Sequence, residues 1–121
     1  MNKILSAYLV CALWSSTGDD CEPLDSEFSI EDFSFDARIK ANCDIQNFLD
    51  LLENEKINWR EFWDEEQFGH DFWLTRNGHG AGFWDRGHGE LGETLTKWAK
   101  TFGTSDCYVS DDLENKRVEL I

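Results

Sequence analysis

Three histidines, two arginines and two Phe-Trp pairs fall within the twenty-one residues from Gly69 to Gly89 of this 121-residue chain. Such a concentration of titratable groups invites chemistry. Arg76 and Arg86 could grip a phosphate or carboxylate through their forked N–H donors. An imidazole titrates near neutrality, which suits His79 to general acid–base work. With Asn77 and Asp85 these residues make a candidate ligand-binding set, and Gly78, Gly80 and Gly82 would let a ligand approach the backbone closely. The simpler reading is that both arginines neutralise the many carboxylates around them.

Other reactions find less support. His70, His79 and His88 are spaced nine apart, each beside glycine. With Asp71 or Asp85 they could ligate zinc, but they lack the helical H-x-x-x-H spacing that makes a zinc motif specific. No metal and no cofactor is therefore expected. The run Gly78-His79-Gly80-Ala81-Gly82 is not a phosphate loop, because it lacks the G-K-[ST] ending and the helix that must follow. There is no G-x-S-x-G nucleophile elbow and no cysteine beside a histidine, so no catalytic residue is assigned. Cys11, Cys21, Cys43 and Cys107 are widely separated, without a C-x-x-C pair. They read as small buried apolar residues rather than disulfide partners.

Charge bounds the partners. The net charge is −14, and the segment from Asp19 to Asp71 carries 17 acidic and 4 basic residues. Nucleic acid and anionic membranes repel such a field, so neither is an expected ligand. A basic protein is the complementary partner. Asp64, Glu65 and Glu66 are the candidate partner-facing acids.

The elements that must position these groups follow from pattern and length, which fit one domain over residues 1–121. Residues 2 to 15 form an apolar first helix. It also imitates a signal peptide over residues 1–18, but its single preceding lysine, its Tyr8 and its Trp14 favour a core helix. Ser29-Ile30-Glu31-Asp32 has the form of a capping box, and a helix is expected from about Asp36 to Asn54. Trp59, Phe62 and Trp63 at i, i+3 and i+4 suggest a third helix over 57–68, stopped by Gly69. Residues 72–86 read as a β-hairpin turning at Asn77-Gly78, with Phe72 opposite Phe83 or Trp73 opposite Trp84. Leu91, Leu95, Trp98 and Phe102 mark a fourth helix closed by Gly103. Strands near 106–110 and 116–121 follow, joined by a turn at Asp111-Asp112. The expected fold is α+β: a small antiparallel sheet, made of the 72–86 hairpin and the two late strands, packed against about four helices.

The run from His70 to Gly87, HDFWLTRNGHGAGFWDRG, resembles a signature of small acidic proteins of bacteriophages and some plasmids. The resemblance extends through Leu91-Gly92-Glu93 to Tyr108-Val109-Ser110-Asp111-Asp112, with weaker echoes at Ala12–Ser16 and Glu22–Asp25. Members of that family usually carry an apolar residue where His88 stands and a glycine where Ser110 stands, which argues against a three-histidine metal site. The resemblance implies a phage-type origin and a cytoplasmic place in the host cell, and brings no reaction with it. Two functions are expected from these features. One is a non-enzymatic accessory protein that binds and inhibits a basic host or defence protein, with DNA mimicry as one form. The other is a small ligand-binding domain or enzyme whose polar site lies at the 70–88 hairpin.

Overall fold

The computed structural model describes residues 2–16, 22–79, 81–110 and 117–121. Its elements are α1 (Lys3–Ser15), α2 (Phe35–Asn54), α3 (Glu65–Arg76), α4 (Glu90–Lys100), β1 (Cys107–Val109) and β2 (Val118–Leu120). Short 3₁₀ turns occupy Leu24–Ser26, Ile30–Asp32 and Phe83–Asp85. The fold is α+β, with β1 antiparallel to β2 in the register Tyr108↔Glu119. Phe33 adds a parallel bridge to Val118, which ties the start of α2 to the sheet. The expected turn at Asp111-Asp112 lies outside the described residues, as do Thr17 to Cys21.

The central contact is α1 against α3. Gly69 sits inside α3, where an added Cβ would meet the Ile4 carbonyl oxygen of α1. A missing side chain thus lets two backbones approach, so Gly69 is a crossing point and not the expected helix stop. Around this crossing the core is aromatic. Tyr8, Phe48, Phe68, Phe72, Trp73 and Phe83 are all fully buried, and Phe48 stacks on Phe72 with ring centroids 4.3 Å apart.

The capping signals at Ser29 and Asp32 behave as expected: Asp32 accepts the Ser29 N–H at 2.8 Å, on a 3₁₀ turn rather than a long helix. The Ser34 hydroxyl then accepts the Ala37 N–H at 3.0 Å and starts α2. Beyond Asn54 the helix is closed by Lys56, a non-glycine in the left-handed region with φ 57°, while the Ile57 N–H reaches back to the Leu52 carbonyl at 2.9 Å.

Two expected elements are corrected. Residues 57–63 form no helix. Trp59 and Trp63 turn inward, Trp59 stacking on Phe68 at 3.8 Å, while Phe62 stays half exposed, so the three aromatics do not share a face. Asp64 instead begins a helix by accepting the Gln67 N–H at 2.7 Å.

The hairpin over 72–86 is the second correction. Residues up to Arg76 belong to α3, and Asn77-Gly78 is its C-terminus. The Gly78 φ of 71° and the bonds from Gly78 N–H to Thr75 O (3.2 Å) and His79 N–H to Leu74 O (3.0 Å) complete a Schellman motif. A left-handed glycine after asparagine serves a helix end as well as a hairpin turn. The choice fell to burial: α3 crosses the centre and is enclosed on nearly every side, so its strongly apolar 72–74 run is core helix.

Candidate functional site

The five residues proposed for ligand binding do not converge. Arg76 is 4 % exposed and its donors are already occupied. Nη1 donates to Asp44 Oδ2 (2.7 Å) and Tyr8 Oη (3.0 Å), Nε to the Gly103 carbonyl (2.9 Å) and Nη2 to the Phe102 carbonyl (3.1 Å). It joins α1, α2, α3 and the end of α4. Asn77 does similar work, donating to the Trp73 carbonyl and accepting the Ser105 N–H at 2.8 Å. His79 and Asp85 are exposed on the segment between α3 and α4.

Arg86 points elsewhere, to Asp71. Nε and Nη2 donate to Oδ2 and Oδ1 at 3.0 and 2.6 Å, a forked pair. Asp71 has no exposed side-chain surface, and it also accepts Trp63 Nε1 at 2.9 Å and Gln67 Nε2 at 2.8 Å. Burial pushes its carboxyl up, but the hydrogen bonds and charge of Arg86 and the Trp63 N–H outweigh that and hold it below the usual value. Asp71 also holds the 81–89 segment onto α3, aided by the Thr75 hydroxyl, which accepts the Phe83 N–H at 3.1 Å. An acid between Phe68 and Phe72-Trp73 was the available signal for this hub, since a carboxylate in an aromatic run must find donors.

The histidines occupy different surroundings. His70 lies against Trp14 at 5.9 Å, with Nδ1 3.9 Å from Asp71 Oδ1, too long for a hydrogen bond. His88 packs against Trp63 and Phe62 at 4.7 and 5.1 Å. Among the described residues, no group of three or more His, Cys, Asp and Glu side chains is placed to hold a metal ion. Cys11 is buried and Cys107 partly so, and burial raises both thiols to about 12, which leaves them protonated and poor nucleophiles at neutral pH. Cys43 is exposed on α2, contrary to the expectation of burial; Cys21 lies outside the described residues.

The partner-facing acids have a defined setting. Asp64, Glu65 and Glu66 open α3; Asp64 and Glu66 line two adjoining grooves of about 690 Å³ each, and Glu65 lines one of the two. Glu65 pairs with Arg60 at 3.0 Å, whereas Asp64 and Glu66 are exposed. One groove runs between α1 and α3, with Ala7 and Val10 as its apolar wall and Gln67, His70 and Arg86 on the opposite side. A smaller groove of about 580 Å³ lies between the end of α2 and residues 56–60, with Asp50, Glu53, Lys56 and Arg60 along it. No helix among the described residues is long and apolar enough to cross a membrane. Comparison of the chain with protein-family models, curated proteins and solved structures returns no match.

Proposed function

We propose that this chain is a phage-type accessory protein acting in the host cytoplasm as a non-enzymatic interaction module, whose acidic surface binds and blocks a basic host or defence protein. One observation carries the reading. Asp50, Glu53, Glu55, Glu61, Asp64 and Glu66 are all exposed along the end of α2, the following turns and the start of α3. On a chain of net charge −14 they present a field that steers a cationic surface into contact. The competing ligand-site reading loses its geometric support, because Arg76 and Arg86 spend their donors on Tyr8, Asp44, backbone carbonyls and Asp71.

Competition binding tests it. A basic DNA-binding protein should be retained by the immobilised chain at low salt, released as salt shortens the Debye length toward about 3 Å at 1 M, and displaced by duplex DNA if the surfaces overlap. The variant D50N/E53Q/E61Q/E66Q should release it at lower salt. Retention that ignores both salt and these substitutions would overturn the acidic-surface reading. Retention that DNA fails to displace would remove DNA mimicry and leave the interaction itself.

A further inference from the structure

We propose that the groove between α1 and α3 is the docking face, and that it takes a basic amphipathic segment of the partner. In this arrangement an apolar side chain seats on Ala7, Val10 and Trp14, and a flanking Lys or Arg faces Asp64 and Glu66. The inference rests on the interaction reading and assigns it a place and a partner chemistry.

α1 carries two apolar faces. Its inner face, including Ile4, Tyr8 and Leu9, is buried in the core. Its outer face brings Ala7, Val10 and Trp14 into line at i, i+3 and i+7, with Val10 49 % and Trp14 55 % exposed. A soluble helix ordinarily places polar residues on that side. Trp14 rests on His70, which itself lines the groove, so the apolar strip and the groove are continuous.

Charge selects the occupant. Arg86 also lines the groove, but Asp71 binds it through a forked pair and cancels its charge. Lys3, at the start of α1, also lines the groove and brings one positive charge against the two carboxylates of Asp64 and Glu66. Asp64 and Glu66 remain as exposed carboxylates beside the apolar wall. A purely apolar occupant would leave two carboxylates to be desolvated with Lys3 as their one uncommitted cation in the groove, and the net negative charge would repel an anionic lipid surface. A second copy of this acidic chain would suffer the same repulsion. A cationic segment with an apolar anchor satisfies both sides of the groove.

The test uses two peptides of equal charge: a helical Lys/Leu peptide and an oligolysine. Each is titrated into the full chain, with amide shifts of the isotope-labelled protein as readout. The Lys/Leu peptide should bind about tenfold tighter or better, the gain expected from burying one apolar side chain. Its shifts should centre on Ala7, Val10, Trp14, His70 and Glu66. V10E, at a half-exposed position, should remove the difference between the peptides and spare oligolysine binding; W14A should act in the same direction. Equal affinities, or shifts centred on Asp50 and Glu53 instead, would overturn the groove assignment while leaving the acidic-surface reading standing. Binding of neither peptide would sink both. Concentration-dependent shifts at Val10 without peptide would transfer the face to a second copy of the chain.

Discussion

Arg86 grips Asp71 with both arms of its guanidinium, at 3.0 and 2.6 Å, across fifteen residues of sequence. The Asp71 side chain is completely buried and the Arg86 side chain 30 % exposed. The pair therefore fastens the segment after α3 onto that helix at the cost of desolvating one charge fully and the other partly. Removing Arg86 leaves Asp71 buried with only Trp63 and Gln67 as donors. R86A should destabilise the chain by about 3 kcal/mol, the lower end for breaking a buried pair. R86K keeps the charge without the fork and should fall between the two. Urea denaturation measures both, and an unchanged midpoint for R86A would mean that the 81–89 segment is held by Phe83 and Thr75 alone.

Arg76 and His79 separate structure from site. R76A should cost about 3–5 kcal/mol, because it takes the donor from Tyr8 and two carbonyls in one step and leaves Asp44 to Lys40 alone. H79A, at an exposed position, should stay within about 0.5 kcal/mol of the parent. Thermal melts decide. A stable R76A protein would return Arg76 to the list of ligand-binding candidates.

Stability should fall at both ends of the pH range. The Asp71 carboxyl is held below its ordinary value in the folded chain, so the unfolded chain takes up that proton first. Its contribution is complete above about pH 4 and is lost as pH drops through the folded value. D71N should flatten this acid limb while lowering stability near neutrality. On the alkaline side, burial raises Tyr8, Cys11 and Cys107 to about 12. The unfolded chain ionises these groups first, so stability should decline from about pH 9 upward, continuing toward 12. Urea midpoints measured across pH would show the two limbs; an acid limb unaltered in D71N would remove Asp71 from the account.

Two helix ends should respond with opposite signs. Lys56 holds φ 57° without a glycine's freedom, so K56G should gain about 0.5–1 kcal/mol. Gly78 already occupies the equivalent position with φ 71°, and G78A should lose about 1 kcal/mol. G69A acts through packing instead, pressing a methyl group into the Ile4 carbonyl, and should cost about 3 kcal/mol. If K56G destabilises, the left-handed turn after α2 is not strained.

Much of the frame was legible before folding. The apolar run of α1, the stripe of Leu91, Leu95 and Trp98 in α4 and the short strands at 107–109 and 118–120 can each be read from local pattern, and their positions agree with the structure. The capping pair Ser29 and Asp32 was equally plain. The candidate site was less so. Asp64, Glu65 and Glu66 were identifiable as an acidic cluster, but the groove beside them needs α1, more than fifty residues earlier in the chain.

The sequence by itself determined the charge, the aromatic content, the elements with one apolar face and the α+β class, because each depends on composition or on neighbours within a few turns. Only the tertiary structure decided that Asn77-Gly78 ends a helix, that Arg76 is a core residue and that Arg86 belongs to Asp71. The physical reason is common to all three. α3 is enclosed on nearly every side by other elements, so its residues show neither the one-faced stripe of a surface helix nor the alternation of a strand. Its polar groups are satisfied by partners brought from Tyr8, Asp44 and Arg86, which only the folded chain places within reach.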